Sequence, residues 1–151
     1  MTERTQDEAL PIAITGGFAD LLGLRFEEVG PDRVVIVWDV TPALHQPYGI
    51  VHGGVHASVV ETAASIAAAV WLGDRGQVVG VSNHTDFLRA ARDGRLRAVA
   101  DPIHRGRLQQ LWLVEIRDEQ DRLVARGQVR LQNIADADRL AAVSPAPAPA
   151  S

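Results

Sequence analysis

The chain has 151 residues, 46% of them hydrophobic and 23% charged, with a net charge of −4 and no cysteine. That is enough for one domain with its own core, and it excludes disulfides, thiolate catalysis and cysteine-ligated metals. The negative balance argues against general nucleic-acid binding, although arginines gathered between Arg89 and Arg107 leave room for a local anion site.

Residues 1–11 are polar and acidic with no apolar signal segment, so they read as a flexible lead-in to a cytoplasmic protein. Ile12 to Leu24 predicts a short helix, with Thr15 as N-cap, Phe18, Leu21 and Leu22 as its apolar face and Gly23 as its stop. Arg25–Val29 and Arg33–Val40 are expected strands around a Gly30-Pro31-Asp32 turn. Thr41-Pro42 ends the second. The turn-rich Gln46-Pro47-Tyr48-Gly49 leads through His52-Gly53-Gly54 into a long apolar helix that ends at Leu72, before the Gly73–Gly76 turn.

From Val55 to Leu72 the only ionisable residues are His56 and Glu61. Apolar side chains occupy nearly every face, so the helix is expected to be buried rather than amphipathic. It is long enough to span a membrane, but its Glu, His, Ser and Thr and the strands after it favour a helix wrapped by a sheet. Those strands are expected at Gln77–Arg89, Arg95–His104, Arg107–Arg117 and Arg122–Asn133, as an antiparallel meander. Pro102 predicts an edge, bulge or bend. In the last strand Leu123, Ala125, Gly127, Val129 and Leu131 form a small apolar face. Residues 135–151 finish in a Pro/Ala tract, expected to be a disordered tail. The domain, 12–134, is therefore α+β: an antiparallel sheet rolled around one long central helix, the hot-dog arrangement.

The chemistry concentrates at that helix. A helix starting at Gly53-Gly54 offers free backbone N–H groups, the positive end of its dipole and close backbone approach. It suits an anion or a developing oxyanion; a glycine turn required only by sterics is the plainer alternative. Glu61 is costly in such a helix unless it is used. His52 to Glu61 spans nine residues, about 13.5 Å along a helix, so Glu61 cannot easily serve the Gly53 amide of its own chain. If both act on one atom, they come from two subunits. Ser65, one turn beyond Glu61, can hold a water or the carboxylate, or simply bond its own backbone. Gln46 offers a donor and an acceptor beside the helix start. His52 reads as a hydrogen-bonder that fixes the loop, because Glu61 already supplies a base. His45 and His56 are expected at the surface or an interface. His84 and His104 fall on adjacent expected strands, but no ligand set has convincing metal spacing, so no metal is expected. Trp38, Trp71, Trp112, Phe87 and Tyr48 are individually core candidates that together can supply an aromatic wall.

HQPYGIVHGGVHASVVET resembles the signature of hot-dog acyl-CoA thioesterases: a Gln or Asn loop, His-Gly-Gly, and an acidic residue nine positions after the histidine. The similarity extends through VVGVSNHTDFLRAARDGRLRAVADPIHRG and LWLVEIRDEQDRLVARGQVRL. With Glu61 as the acidic residue, the chain resembles the glutamate-type 4-hydroxybenzoyl-CoA and 1,4-dihydroxy-2-naphthoyl-CoA branch, which includes phenylacetate-pathway-like enzymes. The resemblance implies that Gly53 N–H polarises the thioester carbonyl and that Glu61 acts as nucleophile or general base. It implies orienting roles for Gln46 and His52, a water-placing role for Ser65, and a coenzyme A phosphate near Arg89. Gly54 allows close approach, and Arg107 stands where some relatives carry small hydroxyl residues. It further implies homodimers with composite sites, often paired into tetramers, and hydrolysis without a cofactor. A non-hydrolytic acyl-CoA-binding protein and a hot-dog dehydratase are the alternatives; the second lacks a clear Asp/His motif.

Overall fold

The computed structural model describes Ile14 and residues 16–135. The expected lead-in, the Thr15 cap and nearly all of the tail lie outside the described residues. Helix α1 spans Gly17–Leu21, followed by strands β1 (Arg25–Val29) and β2 (Val34–Asp39), helix α2 (Gly53–Leu72) and strands β3 (Gln77–Phe87), β4 (Arg95–Arg105), β5 (Gln109–Asp118) and β6 (Leu123–Ile134). All six strands form one antiparallel sheet in the order β1-β2-β4-β5-β6-β3, and α2 packs against it.

The sheet differs from the expected meander in one respect. β4, β5 and β6 follow one another as hairpins, but β3 crosses to the far side of β6 and forms an edge. A strand that leaves a central helix can pair with either side of the sheet, and local periodicity does not choose between them. The crossing also separates His84 on β3 from His104 on β4 by two intervening strands. Among the described residues no cluster of three or more His, Cys, Asp or Glu could hold a metal.

The core follows from the small inward residues. Val59, Val60, Ala63, Ala64, Ala67 and Ala68 of α2 are fully buried, so the helix sits close to the sheet, while Trp38 and Trp112 fill the wider gaps. Pro102 resolves as both an edge and a bulge. The β2 pairing stops at Ala100, and the β4–β5 register shifts between Pro102 and His104. Helix α1 is shorter than expected, with Gly16 at its N-cap, and only Leu22 of the expected apolar face is buried; Phe18 and Leu21 are 57% and 77% exposed. Five residues give too little apolar stripe to dock on both sides.

The backbone of the sheet comes close to α2 at Gly127 on β6, opposite Thr85 on β3. A Cβ there would lie 2.6 Å from Val60 Cγ1, 2.7 Å from Thr85 Oγ1 and 3.2 Å from the His84 carbonyl oxygen. A rigid helix and a paired backbone cannot both retreat. Gly127→Ala is therefore expected to destabilise the fold by about 1–3 kcal/mol, measured as a lower denaturant midpoint at unchanged m-value.

Candidate active site

The chain enters α2 through a loop held at several points. Gln46 N–H donates to the Ile50 carbonyl at 2.8 Å, Gly49 N–H donates back to the Gln46 carbonyl at 2.9 Å, and the Gln46 side-chain oxygen accepts from Tyr48 N–H. Gly49 takes a positive φ of 71° that the turn requires. Arg92 donates to the carbonyls of Tyr48 and Gly49 at 3.2 and 3.3 Å, tying this loop to the one after β3. His52 is the N-cap. Its ring Nδ1 accepts from Gly54 N–H at 2.8 Å, which holds the ring against the first turn of the helix.

With Gly54 N–H engaged, Gly53 N–H is left without an acceptor among the described residues. A Cβ on Gly53 would lie 2.8 Å from the tip of the exposed Phe87 ring, which can turn aside, and one on Gly54 would lie 2.9 Å from His52 Nδ1, the atom its own N–H binds.

Glu61 lies on a half-buried stripe of α2 with Gly53, Ala57 and Ser65. Its Oε2 accepts from Asn83 Nδ2 at 3.1 Å, and the same nitrogen donates to the Ala57 carbonyl at 3.0 Å. The Asn83 oxygen accepts from the Thr85 hydroxyl at 2.7 Å. On the other side, a Cβ at Gly80 would run into Glu61 Oε1. Sequence reasoning missed Gly80, Asn83 and Thr85. The available signals were a glycine inside the apolar run Val78-Val79-Gly80-Val81, which marks a bulge or a close approach, and an asparagine within a strand. Ser65 makes no side-chain hydrogen bond among the described residues; Ser58 and Thr62 are the hydroxyls that bond back along the helix, to Gly54 and Ser58 carbonyls at 2.6 and 2.8 Å.

The fold does not bring all the expected residues together in one chain. Gln46, His52, Gly53 and Gly54 share the start of α2, whereas Glu61 is eight residues, about 12 Å, along its axis. Arg89 and Arg107 lie farther apart. Arg89 N–H bonds the Val124 carbonyl at one end of β6, and the Arg107 carbonyl accepts from Asn133 Nδ2 near the other end. Nine residues of strand separate those anchors, about 30 Å. The Arg107 turn rests on a buried polar chain: Trp112 Nε1 donates to Gln110 Oε1 at 2.9 Å, Gln110 Nε2 donates to Asn133 Oδ1 at 2.7 Å, and Asn133 Nδ2 donates to the Gly106 carbonyl at 2.9 Å. Beside it lies a shallow pocket of about 450 Å³ bounded by Arg107, Gln109 and Gln132.

The aromatic candidates divide. Trp38 and Trp112 are fully buried, and Trp71 lies under the guanidinium groups of Arg75 and Arg105 at 4.4 and 5.5 Å. Tyr48 and Phe87 are 84% and 57% exposed, and both flank the N-terminus of α2.

A six-stranded antiparallel sheet around one long helix is the hot-dog thioesterase fold. The sequence matches the thioesterase superfamily over residues 48–125, and the chain belongs to that family. It is 52% identical over 131 residues to a putative esterase of Mycobacterium tuberculosis, covering 85% of this chain and 94% of that protein. It is 35% identical over 116 residues to the 1,4-dihydroxy-2-naphthoyl-CoA hydrolase of Escherichia coli, covering 77% of this chain and 85% of that one. The solved structure of AziG from S. sahachiroi superposes with a TM-score of 0.79 at 58% identity, covering 80% of this chain and 98% of that one. The chain is thus a thioester hydrolase.

His56 corrects an expectation. It is 3% exposed rather than at the surface, its ring centroid lies 6.2 Å from that of Phe87, and its Nδ1 has no hydrogen-bond partner among the described residues. Residues 55, 56, 59 and 60 form the sheet-facing side of the helix, and the histidine shares it. Burial pushes its pKa from 6.5 down to about 4. The unfolded chain therefore binds a proton below about pH 6.5 that the folded chain refuses, so stability is complete above that value and falls as the pH drops toward 4. The loss attributable to His56 is of order 3 kcal/mol. Thermal melts across this range should show it, with a shallower acid slope in His56→Leu, and the His56 ring should show no NMR titration above about pH 5.

Proposed function

We propose that this thioester hydrolase acts on acyl-CoA as a homodimer with composite sites, paired further into a dimer of dimers as in the family it resembles, and that its preferred substrate carries an aryl acyl group. In each site the Gly53 N–H of one chain and the Glu61 carboxylate of the other face one thioester. The single observation that carries this reading is the separation of the free Gly53 donor and Glu61 by about 12 Å of rigid helix, both on the partly exposed stripe. The free edge of β3, eleven residues long with Val81 54% exposed, supports it further, because such an edge invites pairing with a second copy.

The chemistry then follows from the named groups. The carbonyl oxygen takes the Gly53 N–H and the positive end of the α2 dipole, which stabilise it as negative charge develops. Losing such a donor costs about 3–4 kcal/mol in the barrier. Glu61 has two routes. As a general base it accepts a proton from water while the water oxygen attacks the carbonyl carbon; as a nucleophile its own oxygen attacks and water then cleaves the anhydride. Either way the carbon–sulfur bond breaks, the thiolate of coenzyme A leaves and is protonated, and the acid is released. No redox step or metal is called for. His52 and Gln46 hold the donor loop, Ser65 is placed to hold the water, and Gly54 lets the substrate approach the backbone. Arg89 and Arg107 supply positive charge for the coenzyme A phosphates. The aryl preference draws on the exposed rings of Tyr48 and Phe87 at the helix start and on the activity for which the E. coli relative is named.

Two experiments test this. Glu61→Gln keeps the volume and removes the charge; kcat should fall by about 10²–10⁴ while the protein stays folded and KM for its best thioester changes little. A folded variant that still turns over within a few-fold of wild type would remove Glu61 from the chemistry. The assay should use benzoyl, hydroxybenzoyl, dihydroxynaphthoyl, phenylacetyl and straight-chain acyl-CoA in parallel, and a best rate on straight chains would overturn the aryl preference.

The second experiment mixes subunits. Gly53→Pro lacks the donor N–H yet suits the first position of a helix, and Glu61→Gln lacks the carboxylate. Each variant alone should be inactive. After verified subunit exchange, the mixed dimer has one intact composite site and should regain activity toward half that of a wild-type dimer. No recovery would place Gly53 and Glu61 in separate sites.

A further inference from the structure

We propose that Gly80 and Asn83 of β3 form a seat that aims the Glu61 carboxylate, which makes Asn83 a positioning residue for the hydrolysis. This rests on Glu61 being the carboxylate of the reaction. The orientation of the Asn83 amide follows from its partners. The Ala57 carbonyl can only accept, so the nitrogen of the amide must face the helix. The Thr85 hydroxyl donates to the amide oxygen from the other side. The second hydrogen on that nitrogen is then directed at Glu61 Oε2. Asn83 thus presents Glu61 with a donor and never an acceptor.

Gly80 acts from the opposite side. Its missing side chain leaves the space that Glu61 Oε1 occupies. The register of β3 on β6 shifts between Gly80 and Ser82, and this bulge sets the strand's path beside the carboxylate. One oxygen is anchored and the other lies against an open backbone on the partly exposed stripe. The geometry therefore assigns the reacting role to Oε1, with Oε2 as the held atom. A carboxylate that rotates freely would present either oxygen at varying angles, and misplacement by about 1 Å can cost 10²-fold in rate.

A plainer role is that Asn83 pins β3 to α2 through the Ala57 carbonyl. The test separates the two. Asn83→Ala removes the anchor, and Gly80→Ala removes no hydrogen bond but pushes Oε1 away. Gly80 lies in β3 beside the bulge but has no positive φ, and only the flexible Glu61 side chain meets the new methyl group, so the fold should accept it. Each variant is expected to lower kcat by about 10–100-fold with KM within about threefold of wild type. Thr85→Val, which frees the amide to turn, should give a smaller fall in the same direction. Adding Asn83→Ala to Glu61→Gln should cost less than about twofold more, because the effect passes through the carboxylate. If Asn83→Ala fails to fold, Gly80→Ala and Thr85→Val decide the matter. The seat alone is overturned if these variants stay within twofold of wild type while Glu61→Gln is inactive, or if Asn83→Ala costs as much in the Glu61→Gln background as in wild type. A Glu61→Gln enzyme with near-normal turnover overturns the reading beneath the seat, and the seat with it.

Discussion

The constraint on which the rest of this structure depends is the straightness of α2. Its twenty residues run from Gly53 to Leu72 with no proline and no internal glycine after Gly54, and the sheet grips them along most of their length. A helix held that firmly cannot bend to bring its first amide to a carboxylate two turns on. The free Gly53 donor and the Glu61 carboxylate are therefore two separate stations, one at the N-terminus and one two turns on. The first is served by the loop from Gln46 to His52, and the second by β3. Apart from His56, the sheet side of the helix is mostly valine and alanine, which permit the close contact seen at Gly127.

The same rigidity explains why β3 carries so many unlike residues for a strand. It is an edge, so its outer backbone is unpaired, and its inner side must accommodate a carboxylate that the helix cannot move. Val78 packs against the core, Gly80 makes room, and Asn83 and Thr85 supply hydrogen bonds. A uniformly apolar strand would have left Glu61 facing hydrocarbon, at a cost of several kcal/mol. The departures from strand propensity in β3 are thus compensations for one charged group.

Much of this was legible from the residues. The long helix was readable because apolar residues filled every face and glycines bounded it at Gly53 and Gly73. β1 falls where Arg25–Val29 predicted, and most other strand ends lie within one or two residues of expectation. The two-station arrangement was also readable, since it needs only the count between His52 and Glu61. What was not legible was tertiary. The placement of β3 beside β6 depends on which sheet edge the chain reaches after α2, and no local pattern encodes that. His56 looked like a surface histidine because histidine usually is one; its helical position relative to Val55, Val59 and Val60 held the contrary signal. Phe18 and Leu21 looked like a buried face because periodicity measures a stripe and not whether anything covers it. Asn83 was invisible because its partner lies 22 positions away, across a turn whose direction the sequence does not reveal.

The arginines extend the argument from one chain to two. Arg89 and Arg107 are fixed at opposite ends of β6, about 30 Å apart. In one chain they cannot both meet phosphates close to the same small group. In a two-fold arrangement built on the β3 edge, the strands run antiparallel, so the end of one chain that carries Arg107 comes toward the end of the other that carries Arg89 and Gly53. On the proposed composite site, a coenzyme A whose thioester lies at Gly53 of one chain can therefore meet Arg89 from that chain and Arg107 from its partner. The separation that looks like a defect in the isolated chain has the same form as that between Gly53 and Glu61. Both are distances that a rigid subunit cannot close by itself, and on the proposed composite site a second copy, turned end for end, closes them.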